Sequence, residues 1–175
     1  KKLKNNSSEG IKSSFRLFLE FSASFIFIYF LNQIIDPNLV NIIFIPFTKG
    51  FYIDLNYFYY IFASIVIVGS ANAVNLTDGL DGLAIGPIMI TALSFAFITY
   101  FTGNSIYSEY LKIPYISDTG ELVIICAALI GSGLGFLWYN APPAMVFMGD
   151  TGSLSVGGTI GAVAVATKHE IILSI

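Results

Sequence analysis

Charged side chains are scarce in this chain, and their scarcity excludes most soluble folds. Only 11% of the 175 residues are charged and 55% are hydrophobic, with a mean hydropathy of +0.78. Because a soluble domain has roughly 25% charged residues, this composition predicts an integral membrane protein. The net charge of -3 offers no broad basic surface, so we expect no nucleic-acid partner.

Cysteine and histidine are almost absent. Each occurs once, as Cys126 and His169. A single cysteine excludes an intrachain disulfide, and the lack of a His/Cys cluster excludes the usual zinc and iron sites. Any metal site in this chain therefore has to be built from oxygen ligands.

Long apolar segments alternate with short polar ones. A helix rises 1.5 Å per residue and the hydrocarbon core is about 30 Å thick. The pattern predicts an all-α integral membrane protein, a polytopic helix bundle in one domain over residues 1–175, with a short external β-hairpin at residues 40–54. The five predicted spans are residues 15–31, 57–74, 83–101, 122–139 and 154–167.

The basic residues are concentrated at one end of the sequence. Five of the eight precede or begin the first span, namely Lys1, Lys2, Lys4, Lys12 and Arg16. The positive-inside bias places that end, and the loops 75–82 and 140–153, in the cytoplasm. Glu20 follows Arg16 by one helical turn, so the two are expected to form an i,i+4 pair. Because the chain starts without methionine and stops in a fresh apolar run, we expect the middle of a longer protein.

The first cytoplasmic loop has a regular polar pattern, NAVNLTDGLDGL. Asn72, Asn75, Asp78 and Asp81 recur at a spacing of three between two apolar runs. This spacing makes neighbouring members adjacent on a helix, although all four share a face only loosely. Asp-Gly pairs are also ordinary turn chemistry. Two such pairs after two asparagines in register favour a polar site at a helix end.

The second loop, NAPPAMVFMGDTGS, leads directly into the last predicted span. Gly149, Asp150 and Thr151 are typical of a helix N-terminus, where they either cap the helix or help its amides bind phosphate. Neither cytoplasmic loop contains Lys or Arg, so the three aspartates lack a cation. Mg²⁺ suits such an all-oxygen set, because it takes one or two carboxylates together with water and phosphate.

Two further features concern packing and the opposite face. Gly131 and Gly135 form a small-xxx-small pair, as do Gly157 and Gly161, and such pairs let helices approach closely within a chain or across a homodimer. His169 is predicted to lie on the outer side, away from the carboxylates, so it is not expected to be the catalytic base.

Two separated stretches carry a family resemblance. NAVNLTDGLDGLA and FLWYNAPPAMVFMGDTGSL resemble the signature stretches of the bacterial phospho-N-acetylmuramoyl-pentapeptide transferases, and the similarity extends over the whole chain. It implies a multi-pass enzyme of the bacterial cytoplasmic membrane with its active site on the cytoplasmic face. Such an enzyme transfers phospho-N-acetylmuramoyl-pentapeptide from UDP-N-acetylmuramoyl-pentapeptide to undecaprenyl phosphate, giving lipid I and UMP with Mg²⁺.

The resemblance also implies residue roles. Asp150 would be the principal metal ligand, acting with Asp78 and Asp81 in catalysis, and Asn72 or Asn75 would complete the metal shell. The implied substrate-binding residues are Asn72, Asn75, Asn140, Phe147, Gly149, Thr151 and Lys2, with Asn140 and the stacked Phe147 ring contacting uracil.

Two family features are incomplete in this sequence. The family has an Asp-Asp-x-x-Lys motif, of which Lys2 would be the lysine, and a histidine-rich loop nearer its C-terminus. We therefore expect the 175 residues alone to be inactive. The closest alternative is a polyprenyl-phosphate N-acetylhexosamine-1-phosphate transferase, which shares the aspartate motifs. A cation-coupled transporter is the alternative of another class, but it would place polar residues in mid-span, whereas the acidic residues here fall at span ends.

Overall fold

The computed structural model describes residues 12–46, 48 and 51–174, and these form a helix bundle with a two-stranded hairpin at one end. Lys2 lies outside the described residues. The elements are α1 (Ser13–Ile34), β1 (Ile42–Phe44), β2 (Tyr52–Asp54), α2 (Phe58–Thr77), α3 (Ile85–Thr102), α4 (Ser105–Leu111), α5 (Leu122–Asn140), α6 (Gly149–Ala166) and α7 (Glu170–Leu173). A 3₁₀ turn, Thr119–Glu121, precedes α5.

Four helices of the described part are long and apolar enough to cross a membrane, and they confirm the membrane bundle. They are α1, α2, α3 and α5 with its preceding turn. The fifth predicted span corresponds to α6, which does not reach that apolarity because it is rich in glycine, serine and threonine. It lies inside the bundle and buries eight of its residues. A helix that meets protein on most sides needs less apolar surface than one that meets lipid.

The pair Gly157 and Gly161 sets the contact between α6 and α2. A Cβ atom added at Gly157 would lie 2.6 Å from the carbonyl oxygen of Ser70, and one at Gly161 would lie 2.8 Å from Cα of Ile67. The hydroxyl of Ser70 donates to the Gly157 carbonyl at 2.8 Å. The predicted close approach at this pair is therefore present, and it fixes the position of α6.

The pair Gly131 and Gly135 behaves differently. A Cβ at either position would meet no described atom within 4 Å, whereas one at Gly133 would lie 2.8 Å from the side chain of Met89. Gly133, which lies between the two, is therefore the glycine that allows α3 to pack closely against α5. Gly131 and Gly135 lie on the exposed side of α5.

The predicted hairpin is present and antiparallel, with Ile43 opposite Ile53. We call this end of the molecule the hairpin end, and the end that carries Asp78, Asp81 and Asp150 the carboxylate end. The stretch predicted as an external loop contains one further helix, α4, which the sequence reading missed.

Buried polar groups join three elements at the hairpin end. Lys168 is fully buried, and its Nζ donates to the Val40 carbonyl at 2.8 Å and lies 3.8 Å from the centre of the Tyr59 ring. The Tyr59 hydroxyl donates to Glu170 Oε1 at 2.7 Å. These contacts hold the end of α6 against the start of α2 and the chain before β1.

Candidate active site

Three long helices bring polar side chains together at the carboxylate end. Asn72 and Asn75 lie in the last two turns of α2, and Asp78 follows the helix directly. Asp150 lies in the first turn of α6, which begins at Gly149 rather than at Leu154 as the sequence reading had it. The close α2–α6 packing set by glycine therefore also places Asn75 beside Asp150.

Asn75 makes that connection through one amide group. Its Nδ2 donates to Asp150 Oδ1 at 3.3 Å and to the Ser153 hydroxyl at 2.8 Å. Ser153 is completely buried, whereas the Asp150 side chain is 79% exposed. Asn75 thus ties the exposed carboxylate to the buried interior of the helix pair.

Arg16 of α1 is the third contributor. Its NH2 group donates to Asn72 Oδ1 at 3.2 Å, and its NH1 group lies 3.9 Å from Asp150 Oδ2. The expected i,i+4 pair with Glu20 is also present, at 3.3 Å. The sequence predicts only this pair for Arg16 and no cation beside the aspartates, and the contacts of Arg16 with Asn72 and Asp150 correct that expectation. Helix spacing predicts contacts within α1 alone, such as the one between Arg16 and Glu20. It does not indicate the contacts of Arg16 with α2 and α6.

Asn72 is held from both sides. Its Nδ2 donates to Glu20 Oε2 at 2.6 Å and to the Val68 carbonyl at 2.9 Å, while its Oδ1 accepts from Arg16. Its amide oxygen is therefore engaged by a cation of the chain itself. The role of Asn72 as a metal ligand stays a prediction, and its observed contacts position Arg16.

The two loops of the carboxylate end are fastened to each other. Asn140, which is 4% exposed, accepts from the Gly82 amide at 3.1 Å and donates to the Val146 carbonyl at 2.8 Å. Asp81 Oδ2 accepts from the Ala144 amide at 3.1 Å. Gly82 has φ +70°, a backbone conformation that favours glycine. These contacts give Asn140 and Asp81 structural roles beside the functional ones that the resemblance implies.

The negative charge of Asp150 affects the pKa of Asp78. Partial burial, and then the neighbouring Asp150 carboxylate, raise the pKa of Asp78 above its usual range. Two repelling carboxylates favour a divalent cation between them, and oxygen ligands suit Mg²⁺. The described residues contain no cluster of three Asp, Glu, His or Cys side chains arranged for a metal. With two carboxylates and amide oxygens alone, an ion such as Mg²⁺ would have to complete its shell with water and substrate oxygens.

The start of α6 lies open beside these carboxylates. Met148 is the residue before the helix, and its side chain makes no capping hydrogen bond. Asp150 lies inside the first turn and is therefore not the capping residue. Gly149, Asp150 and Thr151 are exposed. Phe147 is 71% exposed next to them. Free amides at a helix start favour an anion, and an exposed ring offers a flat surface for a planar group.

Comparison with known proteins identifies the family. A family model described as glycosyl transferase family 4 matches residues 8–168. The chain belongs to this family. Curated relatives include the phospho-N-acetylmuramoyl-pentapeptide-transferases of Rickettsia prowazekii, at 56% identity, and of Gluconobacter oxydans, at 55%, each aligned over 174 residues and 99% of this chain. The chain spans 48% of the length of each of these relatives, or about half.

The structure brings some of the predicted site residues together and places His169 far from them. Asp78, Asp150 and Asn75 are brought together, with Asp81 held nearby in the adjoining loop. His169 lies at the hairpin end, where it contacts the Thr167 carbonyl at 2.6 Å, as expected for a residue outside the site.

Proposed function

We propose that the protein to which this chain belongs transfers phospho-N-acetylmuramoyl-pentapeptide from UDP-N-acetylmuramoyl-pentapeptide to undecaprenyl phosphate, giving lipid I and UMP. Family membership and the names of the relatives support the reaction class. The observation that carries the proposal within the structure is the joining of Asp150 to α2 through Asn75, with Asp78 close enough for its pKa to respond.

Phosphoryl transfer depends mainly on positioning and on neutralising charge. Asp78 and Asp150 would hold Mg²⁺, which, when bound, draws negative charge from the diphosphate. The first turn of α6 is exposed and has no side-chain cap, so its amides would favour phosphate oxygens in the same region. Arg16, fixed by Asn72 and Glu20, adds a cation that cannot move far from Asp150.

Exposed leucines beside the carboxylates suit a membrane-embedded acceptor. Leu76 is 83% exposed and Leu80 is 71% exposed, on either side of Asp78 in the chain. Apolar side chains at this position favour contact with the hydrocarbon boundary rather than with water. The site would therefore receive a water-soluble nucleotide from one side and a lipid phosphate from the membrane. The distribution of basic residues supports a cytoplasmic location for this end.

The test replaces the matching stretch of the Gluconobacter oxydans relative with this chain, so that the chimaera has the relative's full length. Membranes with the chimaera would be supplied with undecaprenyl phosphate and Mg²⁺, and with either UDP-N-acetylmuramoyl-pentapeptide or UDP-N-acetylglucosamine. We expect UMP release with the pentapeptide nucleotide alone. Asp150→Asn should abolish it, and Asp118→Asn should not, because Asp118 is exposed in the turn before α5, outside the site.

Two results would contradict the proposal. UMP release with UDP-N-acetylglucosamine alone would assign the chain to the N-acetylhexosamine-1-phosphate branch. No release from an inserted chimaera, when the parent relative is active in the same membranes, would remove the transferase assignment.

A further inference from the structure

The short helix α4 buries a polar side chain and exposes apolar ones. Ser108 is 1% exposed, whereas Ile106 is 75% exposed and Tyr110 is 82% exposed. A helix on the surface of a water-soluble protein has the opposite pattern, because burial of apolar surface drives its packing. The outward side of α4 therefore has the composition of a surface that meets something less polar than water.

The exposed apolar residues form one face. At about 100° per residue, Ile106, Tyr107, Tyr110 and Leu111 fall within an arc of roughly 140°, and each is exposed. Glu109 lies outside this arc, turned by about 100° from Tyr110. The helix thus has a single aromatic and aliphatic face, which we call the α4 face.

Hydrogen bonds at both ends define the short helix α4. The Asn104 side chain accepts from the amides of Ile106 and Tyr107, at 3.0 and 3.3 Å. At the other end, the Ile113 amide donates to the Ser108 carbonyl at 3.0 Å. These hydrogen bonds hold residues 105–111 in a helix, and the burial of Ser108 turns the α4 face outward.

The α4 face continues the outer surface of the spanning helix α3. The Tyr107 ring lies 5.9 Å from the Tyr100 ring and 5.8 Å from the Phe101 ring, centre to centre. Phe101 in turn stacks on Phe97 at 6.4 Å, and Phe97 is 57% exposed on α3. An unbroken aromatic surface therefore runs from a membrane-spanning segment onto α4.

We propose that α4 lies in the boundary between headgroups and acyl chains of the leaflet at the hairpin end, with the α4 face inserted in lipid. Tyrosine is favoured at this depth because its ring is apolar and its hydroxyl reaches water. Lys112, exposed directly after the helix, has the length to place its charge among headgroups. Continuity with α3 selects lipid over a soluble partner. This proposal does not depend on the proposed enzymatic function.

Spin labels on a cysteine-free background test the proposal. Cys126→Ala removes the only cysteine, and Tyr110→Cys and Glu109→Cys then give matched label positions on neighbouring residues. The labelled chain would be reconstituted in phosphatidylcholine vesicles, and its collision rates with oxygen and with a nickel chelate would be measured. We expect the label at residue 110 to favour oxygen by several-fold over the label at residue 109, because oxygen partitions into lipid and the chelate stays in water.

Two outcomes would overturn the proposal. Equal accessibility to the chelate at residues 109 and 110 would place the α4 face in water. Low accessibility to both reagents at residue 110 would mean that protein covers it, and spin–spin broadening in fully labelled vesicles would identify that protein as a second copy. Ile106→Cys provides a second label on the α4 face should Tyr110→Cys fail to fold.

Discussion

Asn75 of α2 and Asp150 of α6 are joined across the two central helices by a 3.3 Å hydrogen bond, in which the amide of Asn75 donates to the carboxylate. The same amide holds the buried Ser153 hydroxyl at 2.8 Å. The orientation of the exposed carboxylate thus depends on the packing of α2 against α6, the most extensive contact between two helices in the described part of the chain.

Loss of this amide should weaken the site without unfolding the chain. In the full-length chimaera, Asn75→Ala leaves Asp150 free to rotate, and we expect activity to fall by about 10–100-fold, the usual cost of losing a group that orients a metal ligand. The measurement is the Mg²⁺ dependence of UMP release. Ser155→Ala is the control, since Ser155 is exposed on α6 and its hydroxyl donates to the Gly152 carbonyl of its own helix. Equal Mg²⁺ dependence in the two variants would refute the orienting role.

The coupling between Asp78 and Asp150 predicts a shift in titration. Burial and the Asp150 charge raise the pKa of Asp78, so this carboxyl keeps its proton to a higher pH than an ordinary aspartate. Asp150→Asn removes the charge but not the burial, and the pKa of Asp78 should fall while remaining above 3.8. Carbon NMR of aspartate-labelled, metal-free protein would record the titration. An unchanged pKa would show that the two carboxylates do not interact.

Mg²⁺ binding should follow from the same shift. A protonated Asp78 cannot serve as a carboxylate ligand, so the affinity for Mg²⁺ should decline as the pH falls through the raised pKa. The decline should begin at a higher pH than it would for an aspartate with the ordinary pKa of about 3.9. Titration of the chimaera with Mg²⁺ at several pH values measures it, and an affinity that is flat across the acidic range would count against Asp78 as a ligand.

Glycine-to-alanine changes should separate the two glycine pairs. Gly157→Ala places a Cβ 2.6 Å from a backbone oxygen of α2, and overpacking of this kind costs about 1–3 kcal/mol. Gly135→Ala meets open space on α5 and should be neutral, or stabilising by up to about 1 kcal/mol through helix propensity. Thermal unfolding in one detergent compares them. A Gly135→Ala variant that is the less stable of the two would mean that a partner covers that face.

The buried groups at the hairpin end predict a stability minimum near neutral pH. Burial raises the pKa of Glu170 to about 7 and lowers the pKa of Lys168 to about 8. Between the ordinary glutamate pKa of 4.5 and about 7, the folded state binds more protons than the unfolded state, so stability falls as the pH rises. Between about 8 and the ordinary lysine pKa of 10.5, the folded state binds fewer protons, so stability rises with pH.

Substitution of both groups should remove this minimum. Lys168→Met alone removes the hydrogen bond to the Val40 carbonyl and the cation that lowers the pKa of Glu170, so we expect the free energy of unfolding to fall and the pKa of Glu170 to rise further. The double variant Lys168→Met/Glu170→Gln should cost less than the sum of the two single variants, and its melting temperature should vary less between pH 5 and pH 10. Additive single effects would show that the two groups are independent.

The sequence predicted what depends on local pattern. Apolar length predicted the helices, the i,i+4 spacing predicted the contact between Arg16 and Glu20, and Asp78 and Asp150 fall at helix ends as expected. The contact of Arg16 with Asn72 joins residues 56 positions apart. It depends on how α1 is rotated against α2, which no local pattern specifies.

The two glycine pairs show the same limit. Gly131 with Gly135 and Gly157 with Gly161 are equivalent in spacing, but only the second pair meets a helix in the described part of the chain. The start of α6 was placed late because glycine, serine and threonine lower the apparent helix propensity of residues 149–153. Packing against α2 outweighs that propensity, and it brings Asp150 into the helix.

The weak apolarity of α6 has a consequence for how the protein is made. A segment this rich in glycine, serine and threonine gains little from lipid alone, so its stable insertion depends on the groove that α2 offers. Since α2 precedes α6 in the chain, it is synthesised first and is available when α6 leaves the ribosome. We therefore expect α6 to insert after α2, and a bulky residue at Gly157 to prevent α6 from packing against α2 in the bilayer.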